Sequence, residues 1–171
     1  CDVKGEGYYG FMAVIKDPSR VIMGSVPSSF GYRGYTVAEM CEYYDAVIGI
    51  NAGGFYDPDG QGNGSIPDSM VVFNGEVYYS NLGTGNGFVG LDADHILHVA
   101  NRFGTQDVRN ANIQYGVCFG PTLIINGEPV NPNQLASGVN PRTAIGQRSD
   151  GAILMLVIDG RSALSIGAKY Q

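Results

Sequence analysis

The sequence predicts an α+β domain, mostly antiparallel or mixed β-sheet with a few helices, and three observations carry that expectation. Asn-Gly stands between two β-rich runs at Asn74-Gly75 and again at Asn126-Gly127, the strongest short-range hairpin signal. A capping box, Thr36-Val-Ala-Glu39, opens one short amphipathic stretch. The 26 glycines among 171 residues, about twice the usual share of ~7%, ask for many tight turns. The length suits one domain spanning residues 1–171.

Taken in order, Phe11 to Ile15 and Arg20 to Val26 are β-rich runs on either side of Lys16-Asp17-Pro18-Ser19, and this pattern predicts a hairpin. The capping box predicts a helix through about Tyr44, with Val37, Met40, Cys41 and Tyr44 on one face. Ala46 to Ile50 is a short apolar run with the composition of a buried strand, ending at Asn51-Ala-Gly-Gly54. Met70 to Phe73 and Glu76 to Ser80 form the first Asn-Gly hairpin, and Thr122 to Ile125 with Glu128 to Val130 the second. Gly87 to Leu91 and His95 to Ala100 pair around Asp92-Ala-Asp94, while Thr105 caps a weaker helix to about Asn112. Arg142 to Gln147 and Ala152 to Ile158 close a last hairpin through Ser149-Asp-Gly151. Ser162 to Gln171 carries no element signal.

Composition narrows the function classes. A net charge of −6 with no Lys/Arg cluster disfavours nucleic acid as a partner. No apolar run approaches the roughly 20 residues of a membrane span. Cys1, Cys41 and Cys118 show no zinc-ligand spacing; buried free thiols are the commoner reading of such cysteines, and a Cys41–Cys118 disulfide stays open. Cys1 is either the start of the numbered segment or the lipid-bearing first residue of a mature lipoprotein.

Two regions have the residue types that chemistry needs. In the glycine-dense stretch Asn51 to Gly64, backbone amides unobstructed by Cβ atoms suit a phosphate or a sugar, though a plain surface loop explains the glycines equally well. Within it, Asp57, Asp59, Gln61, Asn63, Ser65 and Asp68 overlie calcium-loop spacing, imperfectly, because Pro58 and Pro67 intrude and no helices flank it. No cofactor and no metal is expected; calcium at Asp57, Asp59, Asn63 and Asp68 is the alternative that the spacing leaves open. The second region joins Arg142 to Asp159 and Arg161 at one end of the last hairpin, where two guanidiniums suit a phosphate and a carboxylate can move a proton. The plainer alternative there is a surface Arg–Asp pair. His95 and His98, three apart on one strand, would face opposite sides, which disfavours a metal pair.

Four runs in order, Ile50-Asn-Ala-Gly-Gly-Phe55, Phe119-Gly-Pro-Thr-Leu-Ile-Ile-Asn-Gly127, Asn140-Pro-Arg-Thr-Ala-Ile-Gly-Gln147 and Val157-Ile-Asp-Gly-Arg161, resemble the phosphodiester glycosidase family over nearly the whole chain. That family includes enzymes that remove N-acetylglucosamine from phosphodiester-capped mannose and many bacterial proteins of exopolysaccharide biosynthesis. The resemblance implies hydrolysis of a sugar-1-phosphodiester to free sugar and a phosphomonoester, with a glycan substrate and an extracytoplasmic location, whether secreted, surface-held or membrane-anchored. It places Asp159, Arg142 and Arg161 as catalytic residues and Asn51, Gly53, Gly54 and Thr143 at the substrate. Family members continue beyond a segment like Ser165 to Ala168 into a helix and an Asn-Leu-Asp-Gly-Gly-Gly-Ser type motif. The expectation is therefore a domain lacking its C-terminal portion, weakly active alone and open to a complementary chain. A noncatalytic carbohydrate-binding or envelope-assembly module on the same scaffold is the competing class, and a calcium-stabilised structural domain a third.

Overall fold

The structure, a computed structural model, describes residues 1–79, 87–131 and 138–170. In chain order the elements are β1 (Asp2–Gly5), β2 (Tyr8–Ile15), α1 (Val37–Tyr43), β3 (Val71–Phe73), β4 (Glu76–Tyr79), β5 (Phe88–Asp92) and β6 (Leu97–Ala100). There follow α2 (Thr105–Asn110), β7 (Ile113–Cys118), β8 (Ile124–Ile125), β9 (Glu128–Pro129), β10 (Arg142–Gln147) and β11 (Ile153–Ile158). Every strand pairing among the described residues is antiparallel, which bears out the sheet-dominated α+β class. The chain gathers into two compact units, one made of Cys1–Val21 with Leu123–Gln171 and the other of Ile22–Thr122. No helix among the described residues is long and apolar enough to cross a membrane.

The first unit holds a four-stranded sheet in the order β1-β2-β11-β10 and the small β8–β9 hairpin. The β10–β11 hairpin forms as the alternation predicts, with Arg142 opposite Ile158 and Gln147 opposite Ile153. Its turn is locked by Asp150, whose carboxylate accepts from the Arg148 guanidinium and from the Ala152 N–H at 3.2 Å and is thereby held at a pKa of about 2. Ala152, Ile153 and Ile158 are buried. The hairpin expected between Phe11–Ile15 and Arg20–Val26 does not form. Asp17 caps Ser19 N at 3.1 Å, and Pro18–Arg20 close into a 3-10 turn. A strand has two edges, and those of β2 are taken by β1 and β11. The segment after Arg161 is strand-free but tied down. Ser165 is 2% exposed, Ile166 N donates to Gly7 O at 2.9 Å, and Ala168 pairs with Asn140.

The second unit holds a five-stranded sheet in the order β4-β3-β7-β5-β6. Its core is Met70, Val72, Phe88, Val108, Ile113 and Cys118, and the rings of Phe88 and Phe103 stack at 4.3 Å. The β3–β4 hairpin turns on Asn74 (φ 52°) and Gly75 (φ 78°), the left-handed pair that a type I′ turn demands. Ser80, expected to end that hairpin, lies outside the described residues. α2 is capped at Gly104, not Thr105, and ends at Asn110; Asp107 accepts from Gly104 N at 2.7 Å.

α1 follows its capping box, with Glu39 N donating to Thr36 Oγ1 at 3.2 Å and Thr36 N to Glu39 at 2.8 Å. It ends in a Schellman arrangement: Asp45 is left-handed (φ 51°), and Ala46 N reaches Cys41 O at 2.8 Å. The strand expected at Ala46–Ile50 is therefore absent. This run lies along the helix, so close that a Cβ on Gly49 would stand 2.6 Å from Cys41 Sγ, and it leaves Val47 96% exposed. Cys1, Cys41 and Cys118 are all free thiols, Cys118 buried and Cys41 half-buried, so the Cys41–Cys118 disulfide does not form.

Candidate active site

In the first unit, strand register places the expected chemistry. Arg142 opens β10 opposite Ile158, so Asp159 and Arg161 follow directly at the same end of the sheet. Gly160 is dictated by contact, because a Cβ there would stand 2.5 Å from Pro141 N and 2.6 Å from its Cδ. The Pro141-Arg142 and Asp159-Gly160-Arg161 runs thus pack against each other through their two special residues. Asp159 N donates to Tyr9 O at 2.9 Å, and Asp159 O accepts from Ser165 Oγ at 2.6 Å. Arg161 is left-handed (φ 59°) and points Nη2 at Asn140 Oδ1, 3.4 Å away.

The half-buried Arg142 guanidinium donates from Nε to Ala168 O at 3.1 Å and from Nη2 to Gly138 O at 2.9 Å. It also lies 3.9 Å from the Tyr170 ring centroid, a cation–π contact. These partners are neutral. The surface Arg–Asp pair does not form: among the described residues neither Arg142 nor Arg161 meets a carboxylate, and the exposed Asp159 meets no cation. Arg142 and Arg161 are gathered around the Asn140–Ala168 bridge, and Asp159 stands two residues before Arg161 on the turn that Ser165 holds. Thr143, the next residue of an unbroken strand, projects to the opposite sheet face from Arg142.

Asn51, Gly53 and Gly54 lie in the second unit. Gly54 N donates to Cys118 O at 3.0 Å, which ties the motif to the end of β7, and Gly53 (φ 76°) rests on Val117. Asn51 is exposed. The loop that follows is closed by the Phe55–Pro67 bridge, with Tyr56 N to Ile66 O at 2.9 Å and Asp68 N to Gly54 O at 2.8 Å. Several backbone amides of this stretch are already taken. Those of Gly54, Tyr56, Gly60, Gln61, Gly62 and Ser65 all donate to groups of the protein. Asp57 Oδ1 takes Gly62 N at 2.7 Å and Asn63 Oδ1 takes Ser65 N at 3.0 Å. No group of three or more His, Cys, Asp or Glu among the described residues is placed to share a metal ion.

Beside this loop opens a cleft of about 490 Å³ lined by Phe55, Tyr56, Asp57, Asp68, Ser69 and Tyr79 among others. Elsewhere in this unit, His95 sits in the β5–β6 turn (φ 61°), not on a strand, and His98 Nε2 meets Asp92 Oδ2 at 2.8 Å.

Compared with known families, residues 44–171 match the model of the phosphodiester glycosidase family. The chain belongs to this family. No curated protein matches the chain. The phosphodiester glycosidase match spans all seven residues that the sequence motifs single out, from Asn51 to Arg161. Sequence reasoning passed over Asn140, Ser165 and Tyr170, which hold the charged residues in place; only the first lies in a recognised motif. It also passed over Tyr56 and Tyr79, because an aromatic residue in a loop or at a strand end carries no signal of the cleft it will line.

Proposed function

We propose that the chain hydrolyses a sugar-1-phosphodiester at its glycosidic side. Membership of the phosphodiester glycosidase family carries this reading, and it is supported by Arg142, Arg161 and Asp159 having no opposite charge beside them among the described residues. In this mechanism the bond from C1 to the bridging oxygen breaks, the phosphomonoester leaves with both electrons, and water supplies the new hydroxyl at C1. A phosphate leaving group needs little protonation, so the chief demand is for positive charge. Arg161 meets the developing dianion, and Arg142, whose described bonds use two of its five N–H groups, offers the rest. Asp159 stabilises the oxocarbenium-like centre or takes the proton from water. The substrates are envelope or exopolysaccharide glycans, and the setting is extracytoplasmic.

The test is hydrolysis of a synthetic sugar-1-phosphodiester by the wild-type chain, by Asp159→Asn and by Arg161→Asn, which tolerates the left-handed backbone. Both side chains are exposed, so the variants should fold, and kcat should fall by about 10²–10³ in each. Diester binding with no turnover in the wild-type chain would instead favour the noncatalytic carbohydrate-binding module.

A further inference from the structure

We propose that Asn126 is a site of spontaneous modification, converting to aspartate and isoaspartate through a succinimide formed with Gly127, ahead of Asn63 and Asn74. The sequence places asparagine before glycine at 63–64, 74–75, 86–87 and 126–127, and three of these asparagines, Asn63, Asn74 and Asn126, are among the described residues. A glycine has no side chain to hinder its own amide nitrogen, so each such step invites ring closure. The fold decides which of them reacts.

In the reaction the Gly127 N–H gives its proton to hydroxide, and the nitrogen attacks Asn126 Cγ. The new N–Cγ bond closes a five-membered ring, the Cγ–Nδ2 bond breaks, and ammonia leaves after taking a proton from water. Water then opens the ring, at Cγ to give aspartate or at the backbone carbonyl to give isoaspartate. The chemistry asks for a free glycine amide, a side-chain carbonyl that can swing, and a turn that can open.

Asn126-Gly127 meets all three demands. Both residues are exposed, and among the described residues neither the Gly127 N–H nor the Asn126 side chain has a hydrogen bond. A Cβ on Gly127 would meet nothing within 4 Å, which leaves room for the ring. β8 and β9 pair with each other alone, and Ile124 and both residues of β9 are exposed, so this hairpin opens at little cost. Asn74-Gly75 has the same turn on a firmer base. Gly75 N donates to Gln114 O at 2.9 Å, β3 is held on its other side by β7, and Val72 is buried. Asn63 is held by its side chain, with Oδ1 accepting from Ser65 N at 3.0 Å and Nδ2 donating to Tyr32 O at 3.4 Å. Each conversion at Asn126 adds one negative charge to a net charge of −6, and isoaspartate lengthens the backbone of a two-residue turn.

The experiment incubates the whole chain in mildly alkaline buffer, folded and in urea, and follows each asparagine by fragmentation mass spectrometry of a proteolytic digest. In urea Asn63, Asn74 and Asn126 should convert at similar rates. In the folded chain, with circular dichroism confirming the fold, Asn126 should convert at least about tenfold faster than the other two. Amide hydrogen exchange gives an independent reading, with the Gly127 N–H exchanging at least about tenfold faster than that of Gly75. The proposal is overturned if Asn63 or Asn74 converts as fast as Asn126 in the folded chain, if the Gly127 amide is as protected as that of Gly75, or if aspartate forms without isoaspartate. None of these readouts depends on turnover of a substrate.

Discussion

The Ser165 hydroxyl donates to Asp159 O at 2.6 Å and accepts from Tyr9 N at 3.1 Å, while the residue is 2% exposed. One buried oxygen thus satisfies two backbone groups that no strand partner reaches and fixes the turn that carries Asp159 and Arg161. Ser165→Ala leaves both groups unpaired in a place that water does not reach, at an expected cost of about 1–3 kcal/mol. Urea unfolding measures it; a change below about 0.5 kcal/mol would mean that the turn does not depend on this oxygen. Arg142 works on the same scale, since its donors and ring contact hold Gly138, Ala168 and Tyr170 together.

Among the elements, the β5–β6 turn is one that responds to pH. Asp92 Oδ1 accepts from the amides of Asp94 and Ile96, each at 2.9 Å, and Oδ2 meets His98. Burial pushes the Asp92 carboxyl up, but the His98 ring and the two amides outweigh it and hold the carboxyl below its ordinary range. Because the folded value lies below the unfolded one near 3.9, the contribution is fully present above about pH 4 and drains away as pH falls through the folded value. In acid unfolding followed by circular dichroism, wild type should therefore lose stability more steeply below pH 4 than Asp92→Asn; parallel curves would remove Asp92 from the account.

The elements also show what a sequence can reveal. Asn74-Gly75, Asn126-Gly127 and the Thr36 capping box were legible because each is a local bargain between a side chain and its nearest backbone. Ala46–Ile50 and Arg20–Val26 misled because apolar content says that a segment wants cover without saying which surface supplies it. Gly49 let the first lie on a helix, and the second found no free edge on β2. At the candidate site, the charged trio was legible from its motifs. The partners in its support, Ser165 and Tyr170, were not, because their roles exist only after strands from both chain ends meet.

At the scale of the molecule, the first unit draws on both ends of the sequence, and the second is one continuous stretch between them. Pairing β2 with β11 joins residues far apart in sequence, a contact that is slow to form because a long loop must close first. β11 is the strand that leads into Asp159.

The family match starts at residue 44, yet β2, the inner neighbour of β11, lies at Tyr8–Ile15. Anyone who trims the gene to the recognised segment would cut away half of the support beneath the turn of Asp159 and Arg161, stripping Ile153–Ile158 of one whole row of partners. Such an abridged protein should come out of expression as adhesive oligomers, visible by light scattering, as an open apolar strand seeks a new neighbour. A monodisperse, folded product would show that the first strands are dispensable.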